Sequence, residues 1–351
     1  MAEKPEGLSV LVVDDSRAMR ELLRAMLVTD ERIARVDAAG DAEEARAAIV
    51  RRRPDVVLLD IELPAVDGIR FLRELMACAP FPVLIVSGVT NGQDERAVDA
   101  LRAGALDVIP KSEAGADLVG FRARLLAKVH GAARARPRAV SPATTSVTAA
   151  PIPAAARPSR QVIAIGASAG GPAAVETLLA GLRSDLPAMV VALHLPARLT
   201  AAFARRLDER SSLRVREARD GDRLCFGEVL VAPGGQHIEI ARSRRGFRVV
   251  LSPAAPGELL KPCIDRLFES VAACAGPDAM GILLTGMGDD GARGLLRMRQ
   301  AGAMTVAEDE SSCAVFGMPR AAQALNAARH VLPLPKIGRA ILAYARLPDV
   351  E

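Results

Sequence analysis

Two doubly wound, mainly parallel-sheet α/β domains are predicted by three features of the sequence. Short apolar runs of strand length alternate with amphipathic stretches of helix length along most of the 351 residues, the pattern that a parallel sheet with crossover helices requires. One proline-rich stretch without any acidic residue, 131–160, interrupts this alternation. Hydrophobic residues make up 50% of the chain, enough to give each side of the break its own core.

The first 130 residues contain five strand candidates, LSVLVVDD, ARVDAA, DVVLLD, FPVLIVSG and LDVIPK, all short and several rich in β-branched residues. Of the helix candidates between them, SRAMRELLRAMLV opens on Ser16 as an N-cap. The next, GDAEEARAAIVRRR, has acids in its first turn and arginines in its last, which suits the helix dipole. The stretch 131–160, with five prolines and many small residues, cannot build a packed core and reads as a flexible linker. Beyond it the strand candidates are QVIAIG, AMVVALH, EVLVAPGG, HIEIA, FRVVLS, AMGILLTG and AMTVAED, with helices expected over 172–182, 200–210, 262–275 and 288–301. Closely spaced polar strand signals over 228–251 predict an antiparallel excursion from the otherwise parallel sheet. The domain assignment is therefore 1–130, a linker over 131–160, and 161–351.

The formal charge of +4 does not point to nucleic acid. Five arginines in the linker account for all of the excess, and with 3% aromatics there is little to stack on bases. Five scattered cysteines with no C-x-x-C pair argue against a disulfide framework or a zinc site. The N-terminus MAEKPEG has no apolar leader region and no apolar run approaches membrane-spanning length, so a cytoplasmic protein without direct membrane insertion is expected.

Functional side chains of a parallel sheet gather where its strands end. In the first domain these positions carry Asp14 and Asp15, Asp60, Ser87 and Lys111. Three converging carboxylates repel one another unless a hard divalent ion sits among them, and such an ion is a template for phosphoryl transfer onto a carboxylate. A serine hydroxyl and a lysine ammonium suit the incoming phosphoryl oxygens. With VVDDS, LLDIELPAVDG, VSG and PK in this order, the domain resembles the receiver domain of two-component response regulators, a flavodoxin-like fold. The resemblance implies that Asp60 is the phosphoacceptor and that Mg²⁺ is held by Asp15, Asp60, the Glu62 carbonyl and, through water, Asp14. It also implies that Ser87 and Lys111 contact the phosphoryl group. Two departures are Pro110 before rather than after the lysine, and Val108 where many receivers carry an aromatic.

In the second domain GASAGG follows a strand candidate and contains Ser168 in a G-x-S-x-G spelling. A serine nucleophile needs a base and a carboxylate to orient it. Of the four histidines, His194 at a strand end and His237 after a glycine turn are the candidates for the base, while Asp289 and Asp290 in GMGDDG are candidates for the acid. The glycines around them suit an oxyanion hole. With IGASAGG, LHLPARLTAAFARRLD, VLVAPGGQH, KPCIDRLFESVA, GILLTGMGDDGA and AEDESSCAVFGMPRAA, this domain resembles the chemotaxis protein-glutamate methylesterases, and the receiver-linker-esterase order resembles theirs over nearly the whole chain. The resemblance implies a Rossmann-like fold with Ser168 as nucleophile, His194 as base, Asp290 as the orienting acid and the backbone at Met287 as oxyanion donor. Ala169, Leu193 and Leu195 depart from residues common in the family.

The function so implied is phosphorylation-activated hydrolysis of glutamate methyl esters, and deamidation of glutamines, on chemoreceptors in chemotaxis adaptation, with a chemotaxis histidine kinase as phosphodonor and no cofactor for the ester chemistry. An unphosphorylated receiver obstructing the Ser168 cleft is the expected control. Alternatives are the same chemistry in a non-motility chemosensory pathway, or a phosphorylation-controlled binding module with an idle esterase site. An ordinary α/β-hydrolase is disfavoured, because its order of serine, acid and histidine leaves His330 as the single histidine after Asp290.

Overall fold

The computed structural model describes residues 7–64, 66–78, 80–88, 93–137, 157–255 and 257–345. The chain divides into two compact units, Met1–Ser141 and Pro142–Glu351. Residues 1–6 and most of the expected linker, 138–156, lie outside the described residues.

The first unit alternates β1 (Leu8–Val13), α1 (Arg17–Leu27), β2 (Ile33–Ala39), α2 (Ala42–Arg51), β3 (Val56–Leu59), α3 (Gly68–Cys78), β4 (Val83–Ser87), α4 (Gln93–Arg102) and β5 (Asp107–Pro110), followed by α5 (Ser112–Ala116) and α6 (Leu118–Ala132). Its five strands form one parallel sheet in the order β2-β1-β3-β4-β5. The central strands are buried on both faces, which is why they read as unbroken apolar runs. Ser16 caps α1 by accepting the Met19 N–H, and Asp41 caps α2 by accepting that of Glu44.

The second unit contains β6 (Val162–Ala167), α7 (Gly171–Ala180), β7 (Ala188–Leu193), α8 (Ala197–Asp208), β8 (Arg214–Glu217), β9 (Glu228–Val231), β10 (Gln236–Ser243), β11 (Gly246–Pro253), α9 (Ile264–Ala275), β12 (Ala279–Leu283), α10 (Ala292–Gln300), β13 (Met304–Glu308), α11 (Met318–Ala324), β14 (His330–Leu332) and α12 (Leu334–Tyr344). Seven strands form a parallel sheet in the order β14-β13-β12-β6-β7-β9-β8. The chain builds outward from β6 on one side, then returns and lays β12, β13 and β14 on the other. The order therefore reverses between β6 and β12, the position at which a crevice opens beyond the carboxyl ends of such a sheet.

The antiparallel excursion is shorter than expected. β9 stays inside the parallel sheet, and the antiparallel pairing in this stretch is that of β10 with β11, a separate hairpin registered from Gln236↔Pro253 to Ser243↔Gly246. That hairpin is fixed to α9, where the Ile240 N–H donates to Ser270 Oγ at 2.9 Å and Arg242 Nε to the Cys274 carbonyl at 2.9 Å. The outer strands β8 and β14 and the helices α11 and α12 were not expected from sequence. β8 reads RVRE, with one fully buried side chain, and β14 spans three residues, so neither shows a strand period. At one end of the interdomain stretch, Gly131 and Ala132 close α6; at the other, buried Ser159 donates its N–H to the Leu224 carbonyl at 2.9 Å.

Candidate active site

β12, β6 and β7 are neighbours in the sheet, and the turns leaving their carboxyl ends carry Asp290, Ser168 and His194. Ser168 directly follows β6. Gly170, at φ +74°, turns the chain into α7, where a Cβ on Gly171 would lie 2.6 Å from Leu193 and 2.8 Å from Ala167. Gly166 lies within β6. Its missing side chain makes room for Ile264, which a Cβ would approach to 2.4 Å, and so seats the first turn of α9 against the centre of the sheet.

Ser168 Oγ is 3.1 Å from His194 Nδ1, and His194 Nε2 is 2.9 Å from Asp290 Oδ2. In the tautomer that serves all three groups, Nδ1 accepts the serine hydroxyl and Nε2–H donates to the carboxylate. Ser168 and Asp290 are buried, and the His194 side chain is 12% exposed. Asp290 also accepts the Ile264 N–H on Oδ2 at 2.8 Å, the Asp265 N–H on Oδ1 at 2.9 Å and the Cys263 thiol on Oδ1 at 3.4 Å. Asp290 therefore occupies the amino end of α9, where unpaired amides favour an anion. Burial opposes its ionisation, but the His194 bond and charge and the two amides outweigh it and hold the carboxyl below its ordinary range. Burial, then the adjacent Asp290 charge, pushes the Cys263 thiol up to about 11, so it remains a donor.

Of the two candidate acids, Asp290 is buried at His194 while Asp289 points to solvent. His237 is not brought to the serine. His130 pairs with Asp30 at 2.8 Å, and His330 is exposed on the outer strand β14.

Gly286 packs against Ser168, since a Cβ there would lie 2.8 Å from Ser168 Cβ. Its carbonyl accepts the N–H groups of Gly317 at 3.0 Å and Met318 at 2.9 Å, which fixes the plane of the Gly286–Met287 peptide. In a trans peptide the Met287 N–H then points away from those donors.

Sequence reasoning missed the support beneath the serine. The Ser168 N–H donates to the Thr285 carbonyl at 3.0 Å, and Thr285 Oγ1 donates to the Ala169 carbonyl at 2.9 Å. Buried Glu308 accepts the Thr285 N–H at 2.8 Å and the Ser312 hydroxyl at 2.8 Å. An acid ending an apolar strand, as Glu308 ends β13, is the same signal that singled out Asp60 and was available to find it.

In the first unit, Lys111 Nζ lies 2.7 Å from Asp14 Oδ2 and 2.5 Å from Asp60 Oδ2, at the ends of the strands β1, β3 and β5. The Glu62 N–H donates to Asp60 Oδ1 at 3.0 Å, while the Glu62 side chain is exposed. Ser87 is buried at the end of β4, and its carbonyl accepts the Lys111 N–H at 2.8 Å. Burial raises the Asp60 carboxyl above its usual range despite the Lys111 bond. Burial opposes the Lys111 charge, but its bonds to Asp14 and Asp60 together outweigh it and raise the ammonium above its usual range. Oxygens of Asp14, Asp15 and Asp60 lie within 4.8 Å of one another, so the donor set fits a hard divalent cation.

Residues 163–341 match the CheB methylesterase family model, and residues 10–121 match that of the response regulator receiver domain. Two curated relatives carry the name protein-glutamate methylesterase/protein-glutamine glutaminase. One, from Xanthomonas campestris pv. campestris, is 43% identical over 346 residues, covering 96% of this chain and 97% of its own length. The other, from Pseudomonas aeruginosa, is 44% identical over 342 residues with the same coverage. Among solved structures, the Thermotoga maritima CheB methylesterase catalytic domain is 32% identical with a TM-score of 0.51, covering 53% of this chain and 98% of its own. Among the described residues no helix is long and apolar enough to cross a membrane.

Proposed function

The chain belongs to the CheB protein-glutamate methylesterase family, and from that premise we propose that Ser168, His194 and Asp290 hydrolyse glutamate γ-methyl esters, and deamidate glutamines, on chemoreceptors. The observation that carries this reading is the unbroken hydrogen-bonded chain from Ser168 Oγ through the two His194 nitrogens to Asp290. Ser168 Oγ attacks the side-chain carbonyl carbon while His194 Nδ1 takes the hydroxyl proton. The carbonyl oxygen becomes an oxyanion, for which the Met287 N–H is the assigned donor. Collapse of this intermediate breaks the bond to the leaving group, and the proton on Nδ1 passes to it, releasing methanol from the ester or ammonia from the amide. Water, deprotonated by the same nitrogen, then cleaves the acyl-serine and leaves glutamate. Asp290 stabilises the imidazolium present in both steps.

Control is assigned to the first unit. Asp60 accepts a phosphoryl group from a chemosensory histidine kinase, and Lys111 and Ser87 bind the transferred oxygens. Mg²⁺ would be held by Asp15, Asp60, the Glu62 carbonyl and, through water, Asp14, where it would neutralise charge on the phosphoryl group. Lys111 already bridges Asp14 and Asp60, so it stands where added negative charge would draw it.

The test is methanol release from methylated chemoreceptor by full-length protein, with and without a phosphodonor and Mg²⁺. Ser168→Ala is expected to reduce release to background under both conditions. Wild-type rates in that variant would overturn the serine mechanism.

A further inference from the structure

His237, a candidate base in the sequence, is 1% exposed, and both of its ring nitrogens are engaged away from the serine. Nδ1 accepts the Cys263 N–H at 3.1 Å. It is therefore unprotonated, Nε2 carries the hydrogen, and that hydrogen is donated to Glu258 Oε2 at 2.7 Å. Glu258 is tied in turn by the Ala255 N–H at 2.8 Å. The ring is gripped on both edges, which leaves it no capacity to act as a base at Ser168.

Its grip falls at a sensitive place. Cys263 is the N-cap of α9 and makes no side-chain capping bond to that helix. The Cys263 thiol and the next two amides, those of Ile264 and Asp265, all donate to Asp290. Whatever fixes the Cys263 peptide fixes three donors that aim the Asp290 carboxylate at His194.

We propose that His237 is a positioning residue for the catalytic carboxylate, acting through the Cys263 N–H and the first turn of α9, with Glu258 setting the ring's tautomer and orientation. The proposal rests on the reading of Ser168, His194 and Asp290 as the catalytic groups. It assigns separate tasks to the two ring nitrogens: Nδ1 holds the turn, and Nε2–H holds the ring. A purely space-filling histidine would make no such distinction.

The test compares full-length wild type, His237→Asn, His237→Gln, Glu258→Ala, Glu258→Gln and Ser168→Ala in methanol release from methylated receptor. Asparagine keeps an acceptor where Nδ1 stands, so kcat is expected within about threefold of wild type, whereas glutamine offers its amide towards Nε2 and should lower kcat roughly 10- to 100-fold with KM unchanged. Glu258→Ala, at a partly exposed position that does not threaten folding, should lower kcat about fivefold, with recovery in Glu258→Gln. Equal losses in the asparagine and glutamine variants, a loss carried by KM, or an unchanged kcat in Glu258→Ala would each overturn the proposal. An active Ser168→Ala variant would instead overturn the underlying reading, so the two failures are distinguishable. Should the His237 variants fail to fold, the Glu258 pair decides the question.

Discussion

Replacing Asp290 with asparagine changes one atom's chemistry in a site where both carboxylate oxygens are acceptors. Oδ2 receives His194 Nε2–H and the Ile264 N–H, and Oδ1 receives the Asp265 N–H and the Cys263 thiol. An amide offers one acceptor oxygen and one NH₂, so either orientation sets two donors against a third. With the NH₂ towards α9, the Asp265 amide is left unpaired in a buried site, which costs about 1–3 kcal/mol of stability. With the NH₂ towards His194, the ring is pushed into the tautomer whose Nδ1 carries the hydrogen and cannot accept from Ser168. In both orientations the imidazolium of the transition state loses its counter-charge. By analogy with the same substitution in other serine triads, kcat should fall on the order of 10³- to 10⁴-fold with little change in KM. The assay is single-turnover and steady-state methanol release from methylated receptor, with thermal unfolding measured in parallel. An Asp290→Asn variant retaining more than about a tenth of wild-type kcat would refute the assignment of Asp290 as orienting acid.

Gly286→Ala places a methyl group 2.8 Å from Ser168 Cβ and 2.2 Å from Met318 Sδ, and should lower kcat by about 10²-fold through displacement of the serine and its neighbouring amide; a crystal structure of the variant with Ser168 undisturbed would count against this. Asp60→Asn should leave basal methanol release intact while abolishing both incorporation of phosphate and stimulation by a phosphodonor, as read by phosphoprotein gels and the same assay. The pH dependence of stability follows from the lowered Asp290 pKa. Its contribution is present above the unfolded carboxyl value of about 3.9 and is lost as pH falls through the lower folded value. Melting of the second unit should therefore lose part of its acid sensitivity below about pH 4 in Asp290→Asn, and parallel curves for variant and wild type would contradict the coupling.

The legible parts of the fold were those with strong local pattern. β3, β4, β6 and β7 are buried throughout, and their apolar runs are unbroken in sequence. β8 and β14 pair with the sheet on one side only, so polar side chains are tolerated and the period disappears. β9 lies close to β10 in sequence, and its parallel pairing with β7 and β8 is a long-range choice with no local mark.

By itself the sequence determined two sheet-building domains, Ser168 and the candidate base His194 at neighbouring strand ends, and the acids and lysine gathered at one edge of the first sheet, because residues that follow buried strands must emerge at one edge. The family resemblance pointed to Asp290, but the physical reason that Asp290 rather than Asp289 meets His194 lies in the tertiary structure. Asp289 and Asp290 are equivalent in composition and differ in direction, and that direction depends on Gly288 and Gly291, both at positive φ, and on the amino end of α9 arriving from another part of the chain. The role of His237 has the same origin. Its sequence context allowed a base, and the folded chain instead placed Cys263 at one nitrogen and Glu258 at the other. Side chains on irregular turns take their partners from contacts distant in sequence, and no periodicity encodes those contacts.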